Sequence, residues 1–173
     1  MHTTAVLALY LFSVWVHILA ATVWVGGMFF LVLVVVPWLR QGGRANAGTF
    51  LRETGERFRS VGWICFALLL VSGTFNLWMR GVRLADFTRS AWLTSPFGKA
   101  VVLKLSLFAI VLCISAIHDF SVGPKATAAL QRDPGSAESE ALRRRASLMG
   151  RGNALLSLLL VAFAVIMVRG WPW

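Results

Sequence analysis

The chain has 173 residues, of which 58 % are hydrophobic and 14 % are charged. Soluble domains carry about a quarter charged residues, so this composition excludes an ordinary soluble protein and indicates an all-α integral membrane protein. The net charge of +10 fits the basic loops that orient membrane helices. We therefore expect the lipid bilayer as a partner and no nucleic acid.

Four apolar segments divide the chain, and each is about as long as a membrane-spanning helix needs to be. They cover about residues 5–37, 58–79, 96–118 and 153–168. We expect them to form a four-helix bundle, as a single transmembrane domain over residues 1–173. No basic residue precedes the first segment, which is predicted to act as an insertion signal that is not cleaved.

The first segment contains one side chain that ionises near neutral pH, His17. An ionisable residue inside a membrane helix is costly and marks a functional site by default. His17 shares a helix face with small residues and with Met28, which lies eleven residues or about 16 Å further along. Small residues let another helix approach, so His17 is expected to face the bundle. Either it binds a ligand or handles a proton, or it only hydrogen-bonds a neighbouring helix.

The third segment begins with a helix-start pattern and carries two candidate residues. Ser95 and Pro96 are predicted to be the N-cap and the first helical residue. Lys104 either snorkels to the outer interface or faces the bundle and holds an anionic group. His118 lies at the inner end of the segment, where the helix dipole alone favours a histidine. A structural role and a metal-ligand role therefore both stay open for His118.

Basic residues are distributed unequally between the loops. Eleven lie in the first and third loops, namely Arg40, Arg44, Arg52, Arg57, Arg59, Lys125, Arg132, Arg143, Arg144, Arg145 and Arg151, against four on the other side, Arg80, Arg83, Arg89 and Arg169. Basic loops stay in the cytoplasm. We predict a multi-pass protein of the bacterial cytoplasmic (inner) membrane with both termini outside. Residues 137–149 are predicted to form a separate cytoplasmic helix that either lies on anionic lipid or is solvated.

Three stretches resemble motifs of the copper resistance D (CopD) family of membrane proteins. VHILAATVWVGGMFFLVLVVVPWLR has a histidine, a W-x-G-G motif and an apolar run that ends in proline. RFRSVGWICFALLLVSGTFNL has an Arg-Phe start and a Ser-Gly pair, and SPFGKAVVLKLSLF has a proline, an aromatic-Gly pair and Lys104. The resemblance implies copper transport or copper resistance in a minimal four-helix form. The pattern from Lys104 to His118 is also similar to HemJ-type protoporphyrinogen oxidases, which bind haem.

Three functions stay open. The first is copper handling, with His17, Met28, His118 and, at the external end, His2 as metal ligands, since thioether and imidazole donors suit copper. A periplasmic metal-binding protein is then an expected partner. The second is a haem b protein or oxidase, with His17 as axial ligand and Lys104 on a propionate. The third is a non-catalytic assembly partner, and the oligomeric state stays open. No Walker A, H-E-x-x-H or nucleophile-elbow motif favours an enzyme.

The two histidines within the apolar segments are predicted to lie at different depths in the membrane. His17 precedes Pro37 by twenty residues, or about 30 Å of helix, whereas His118 lies at the inner boundary itself. We therefore expect that the two do not ligate one haem iron. His17 and Lys104 both fall in the outer half. We expect a metal complex, a haem carboxylate or another anion-bearing group between the helices that carry them.

Overall fold

The computed structural model describes residues 2–38, 44–133 and 135–170, without the side chains of residues 2, 3, 44–48 and 51. The helices are α1 (His2–Phe30), α2 (Arg44–Met79), α3 (Ser90–Thr94), α4 (Pro96–Ile117), α5 (Gly123–Arg132) and α6 (Ala137–Arg169). Two π-helical turns, Leu31–Val35 and His118–Val122, extend α1 and α4, and a 3₁₀ helix, Leu84–Thr88, precedes α3.

Four helical segments are long and apolar enough to cross a membrane. They are Thr4–Trp38, Arg52–Met79, Pro96–Arg132 and Ala137–Arg169. The described residues form no strand. The prediction of an all-α integral membrane four-helix bundle is therefore confirmed. We call the end that carries residues 80–95 the outer end and the opposite end the inner end, following the predicted orientation, which stays a prediction.

The bundle is built from two helix pairs. α1 packs along α2, α4 packs along α6, and α1 also contacts α6. Aromatic rings join the pairs at mid-depth, where Phe66 of α2 contacts Trp24 of α1 and Phe108 of α4, with ring centroids 4.9 Å and 6.0 Å apart. The wholly buried Val111 completes this layer. Many large apolar side chains face outward instead, as expected of a surface that lipid solvates.

Several helices are longer than the sequence predicts. α2 begins at Arg44 and not near residue 58, and a continuous helix runs from Pro96 to Arg132 through a π-helical turn. The prediction of separate helices at 137–149 and 153–168 is wrong, because α6 runs unbroken from Ala137 to Arg169. The intervening segment contains two glycines but no proline, and glycine weakens a helix without ending it.

Both π-helical turns end shortly before a proline. The turn Leu31–Val35 precedes Pro37, and the turn His118–Val122 precedes Pro124. Proline lacks an N–H and its ring clashes with the carbonyl four residues earlier, so a helix must widen or kink there. A Cβ at Gly123 would lie 2.9 Å from the His118 carbonyl oxygen. Glycine therefore lets the widened turn close.

A compact outer loop connects α2 to α4. Ser95 is the N-cap of α4, as predicted, because its Oγ accepts the Gly98 N–H at 3.0 Å, and Pro96 begins the helix. Asp86 accepts the Arg83 backbone N–H at 2.7 Å and an Arg89 N–H at 2.9 Å. These two hydrogen bonds hold the pKa of the Asp86 carboxyl below its usual value.

Candidate metal site

His17 is held at the α1–α2 interface by a chain of hydrogen bonds. Its Nδ1 lies 2.8 Å from Ser72 Oγ, and the Ser72 hydroxyl donates to the Leu68 carbonyl of the preceding turn. A serine hydroxyl has one proton to donate. Because that proton goes to Leu68, Nδ1 of His17 is the donor to Ser72. The imidazole is then the tautomer whose Nε2 keeps its lone pair, the form in which histidine binds metals.

Small residues make room for this imidazole. A Cβ at Gly73 would lie 3.2 Å from His17 Cε1 and 3.7 Å from Nδ1. Ser13, one turn outward on α1, donates to the Ser72 carbonyl at 3.5 Å. The Ser-Gly pair of α2 thus supplies both the acceptor and the space for His17. The half-buried imidazole faces the bundle as predicted, and the metal-ligand role stays a prediction.

The W-x-G-G motif of α1 continues this contact inward. Trp24 is buried beside Gly62, where an added Cβ would meet its Cδ1 at 3.8 Å. Gly27 faces Phe58, and an added Cβ would lie 2.5 Å from the Phe58 ring. The histidine, tryptophan and glycine of the motif therefore contact successive levels of α2. The motif sets the register of α1 on α2 and so places His17 at Ser72.

Met28 lies one turn inward from Trp24 on the same helix face. It is 7 % exposed and packs in the apolar core. Met28 is therefore on the buried stripe that begins with Ser13 and includes His17, as predicted. The eleven residues between His17 and Met28 correspond to about 16 Å of helix, so the two are separate points along one face.

Lys104 faces the interior of the bundle. It lies on the α4 stripe that contains Ala100, Leu107 and Val111. These three residues are 1 %, 9 % and 0 % exposed. Lys104 itself is half-buried. Of the two predicted alternatives, its position on this stripe favours the bundle-facing one.

Lys104 also lies at the level of His17. Phe108, one turn inward of Lys104, contacts Phe66 of α2, and Ser72 lies six residues outward of Phe66. Lys104 and Ser72 therefore differ in level by about 3 Å along the bundle. The structure thus brings the two predicted cofactor-binding residues to one level of the outer half.

His118 belongs to a different group at the inner end. Its Nδ1 contacts Asp119 Oδ1 at 3.0 Å, and Trp63 Nε1 donates to Asp119 Oδ2 at 3.1 Å. Arg59 donates to the Asp119 backbone carbonyl at 3.2 Å and lies over the Phe120 ring. The helix-dipole argument for His118 is wrong, because the helix continues past it. A carboxylate and not a helix end orients this imidazole, and its metal-ligand role stays a prediction.

The two histidines are far apart, as predicted. His17 bonds to Ser72, whereas Asp119, next to His118, bonds to Trp63 and Arg59 of the same helix α2. These α2 residues lie nine and thirteen positions from Ser72, which corresponds to about 14 to 20 Å. The separation is shorter than the expected 30 Å because α1 runs beyond the level of His118 before it reaches Pro37. It still excludes one shared haem iron.

Two amides and several serine hydroxyls are further polar groups of the interior. Asn153 Nδ2 of α6 donates to Ser115 Oγ of α4 at 2.9 Å, while Oδ1 of Asn153 and of Asn76 are buried without a partner. Within the described part of the chain, no three His, Cys, Asp or Glu side chains are placed to hold one metal ion. The side chain of His2, the fourth predicted metal ligand, lies outside the described side chains.

Known proteins are similar to this chain over most of its length. Residues 52–168 match the family model "Copper resistance protein D". The chain belongs to the copper resistance protein D family. It is also 34 % identical over 156 residues to an uncharacterized protein of Aquifex aeolicus (strain VF5), which covers 90 % of this chain and 92 % of the relative. No solved structure matches the chain.

The family match confirms the resemblance seen in the sequence. It spans α2 to α6, so α1 and His17 precede the matched range. The Ser-Gly pair that receives His17, Lys104 and the group around Asp119 all lie inside that range. The resemblance did not point to Asp119, Trp63 or Arg59. The signals that could have found them are an acid beside His118 and a tryptophan one turn after an arginine, near the predicted start of a membrane segment.

Proposed function

We propose that this member of the copper resistance protein D family handles copper in the bacterial inner membrane and that His17 is a ligand to the copper. The observation that carries the proposal is the chain from His17 Nδ1 through Ser72 to the Leu68 carbonyl. It leaves Nε2 with a lone pair, and metal-binding histidines are typically oriented by such a second hydrogen bond. With both termini outside, this histidine lies in the periplasmic half of the membrane.

Copper in this proposal is a cargo and not a structural ion. Imidazole and thioether donors suit copper, and the stripe of α1 offers one of each, His17 in the outer half and Met28 further inward. Since the two are about 16 Å apart, they would act in succession. A single imidazole binds less firmly than a closed three-ligand site, and a conducted ion must be able to leave each station. A periplasmic metal-binding protein would supply the copper at the outer end.

The proposal is tested on the full-length protein purified in detergent and titrated with Cu(I) against a coloured chelator. We expect wild-type protein to withdraw copper from a weakly binding chelator and His17→Ala to lose this ability while it stays helical and monodisperse. Ser60→Ala is the control, because Ser60 is exposed at the inner end of α2 and lies outside the candidate site. Equal copper binding by wild type and His17→Ala would contradict the proposal.

A second candidate, a haem b protein, is favoured by the position of Lys104. A lysine at the level of His17 repels a bare metal cation and attracts a carboxylate, such as a haem propionate. Arg80, Arg83 and Arg89 lie in the loop beyond α2 at the same end, so the outer end presents several basic side chains to a ligand. In this candidate His17 would be the axial ligand, Lys104 would bind a propionate, and the haem would supply redox chemistry.

One preparation distinguishes these functions. An optical spectrum with a Soret band that disappears in His17→Ala favours haem, whereas copper by metal analysis without such a band favours copper handling. If neither haem nor retained copper is found and titrated Cu(I) does not bind, both candidates fail. The protein would then be better described as an assembly partner in a membrane complex.

A further inference from the structure

The inner end of α6 carries a second surface that the copper proposal does not use. The helix does not stop at the membrane segment but continues without a break back to Ala137. One side of this extension packs on α5 and buries Ser139. The other side forms an open groove along one helix face. Its lining includes Ala137, Ala141, Arg144, Arg145, Leu148 and Met149.

Two interhelical hydrogen bonds indicate at which level of the membrane this groove lies. Asn153 of α6 is bonded to Ser115 of α4, and Asp119, four residues inward of Ser115, receives the Trp63 indole N–H. Tryptophan prefers the boundary between hydrocarbon and headgroups. Met149 lies four residues inward of Asn153, or about 6 Å, which puts it at the level of Asp119.

The arginines of the groove therefore lie in the headgroup layer. Arg145 is four residues beyond Met149, or about 6 Å further from the hydrocarbon. The headgroup region on each side of a bilayer is about 5 to 8 Å thick. Arg144 and Arg145 are thus level with lipid phosphates, whereas Leu148, which is 61 % exposed, is level with the beginning of the acyl chains.

The chemistry of the groove matches its depth. Arg144 and Arg145 are both exposed, and a guanidinium group binds a phosphate through two parallel N–H donors. Glu140 also lines the groove, and its carboxylate accepts two hydrogen bonds from Arg143, at 2.7 Å and 2.9 Å, which offset its negative charge. Below the arginines the lining is apolar. The surface therefore offers cations to a headgroup and an apolar strip to the chain attached to it.

We propose that this groove binds one anionic phospholipid, with the headgroup phosphate on Arg144 and Arg145 and an acyl chain along Leu148 and Met149. Residues 137–149 are continuous with the membrane-spanning part of α6, so this binding mode replaces the expectation that they lie on anionic lipid as a separate helix. A zwitterionic lipid offers the same apolar chain but no net negative charge, so anionic lipid is selected.

The test uses full-length protein in detergent mixed with phosphatidylcholine and phosphatidylglycerol, then re-isolated for lipid quantification by mass spectrometry. We expect wild-type protein to enrich phosphatidylglycerol, and the double variant Arg144→Gln and Arg145→Gln to lose at least about fivefold of that enrichment, since one basic residue near an anionic surface is worth about that factor. The double variant Lys125→Gln and Arg132→Gln removes the same charge from exposed sites on α5 and should keep the enrichment.

Equal losses in both double variants would show a diffuse basic surface and overturn the proposal, as would a wild type without enrichment. Leu148→Gln tests the apolar half of the groove. It should lower the retention of long-chain phosphatidylglycerol while the arginines remain, and unchanged retention would contradict a bound acyl chain. Circular dichroism and gel filtration show whether each variant is folded, and neither depends on lipid identity.

Discussion

Replacing Ser72 by alanine tests how the structure prepares His17 for a ligand. The substitution removes the acceptor of the His17 Nδ1–H, 2.8 Å away, and leaves that donor without a partner at a half-buried position. Interhelical hydrogen bonds in membrane proteins are worth about 0.6 kcal/mol on average and up to about 1.7 kcal/mol, so the bundle should stay folded. The loss of the orienting bond should weaken metal binding by about 10- to 100-fold, as for other second hydrogen bonds of metal-binding histidines.

The assay is a Cu(I) competition titration of wild type, Ser72→Ala, Ser72→Thr and Ser13→Ala, with thermal unfolding measured on the same samples. Ser72→Thr keeps a hydroxyl and should restore most of the affinity. Ser13→Ala removes a hydroxyl that contacts the Ser72 carbonyl but not the imidazole, so it should bind copper like wild type. Wild-type affinity in Ser72→Ala would refute the idea that the Ser72 bond prepares Nε2, whatever the stability change.

Three further predictions concern the frame around the site. Gly98→Ala should destabilise the protein by more than about 2 kcal/mol in thermal unfolding, because the added Cβ would lie 2.0 Å from the Trp92 carbonyl oxygen. Gly26→Ala is the control and should change the stability little, because its Cβ would meet nothing within 4 Å. Trp63→Phe keeps an aromatic ring but removes the donor to Asp119, and a loss of about 1 kcal/mol is expected; no loss would mean that this bond contributes nothing. Asp86 has a lowered pKa in the folded loop. Its contribution to the free energy of unfolding is therefore complete above the pKa of the unfolded chain, about 4. The contribution is lost as the pH falls through the lower pKa of the folded state. Asp86→Asn should therefore flatten the acid branch of thermal stability against pH, and an unchanged acid branch would contradict the assigned shift.

The sequence predicts the four spans well because each is a long apolar run, and hydrophobicity decides where a helix crosses a bilayer. It underestimates the helix lengths at the inner end because apolar runs stop at the membrane boundary and helices do not. Residues 137–152 contain alanine, leucine, glutamate and arginine, which favour helix in water. The hydrophobic pattern changes there although the helix continues, so the sequence predicts two helices where the structure has one.

The sequence likewise predicts only part of the candidate site. The cost of an ionisable residue in lipid identifies His17 from the sequence alone, and helical spacing gives the face it shares with Met28. The partner of His17 depends on the register between α1 and α2, which is set by contacts such as Gly27 against Phe58. Local periodicity does not contain that register, so the sequence alone does not identify Ser72 as the partner of His17.

Nitrogen NMR of the protein labelled with ¹⁵N-histidine, before and after Cu(I) is added, shows directly whether Nε2 of His17 receives the metal. The chain contains three histidines, so the spectrum is simple, and His17→Ala assigns the relevant signals. We expect His17 to carry its proton on Nδ1 before copper is added, and copper to shift the Nε2 signal while Nδ1 stays protonated. A proton on Nε2, or a copper shift confined to the other two histidines, would contradict this expectation.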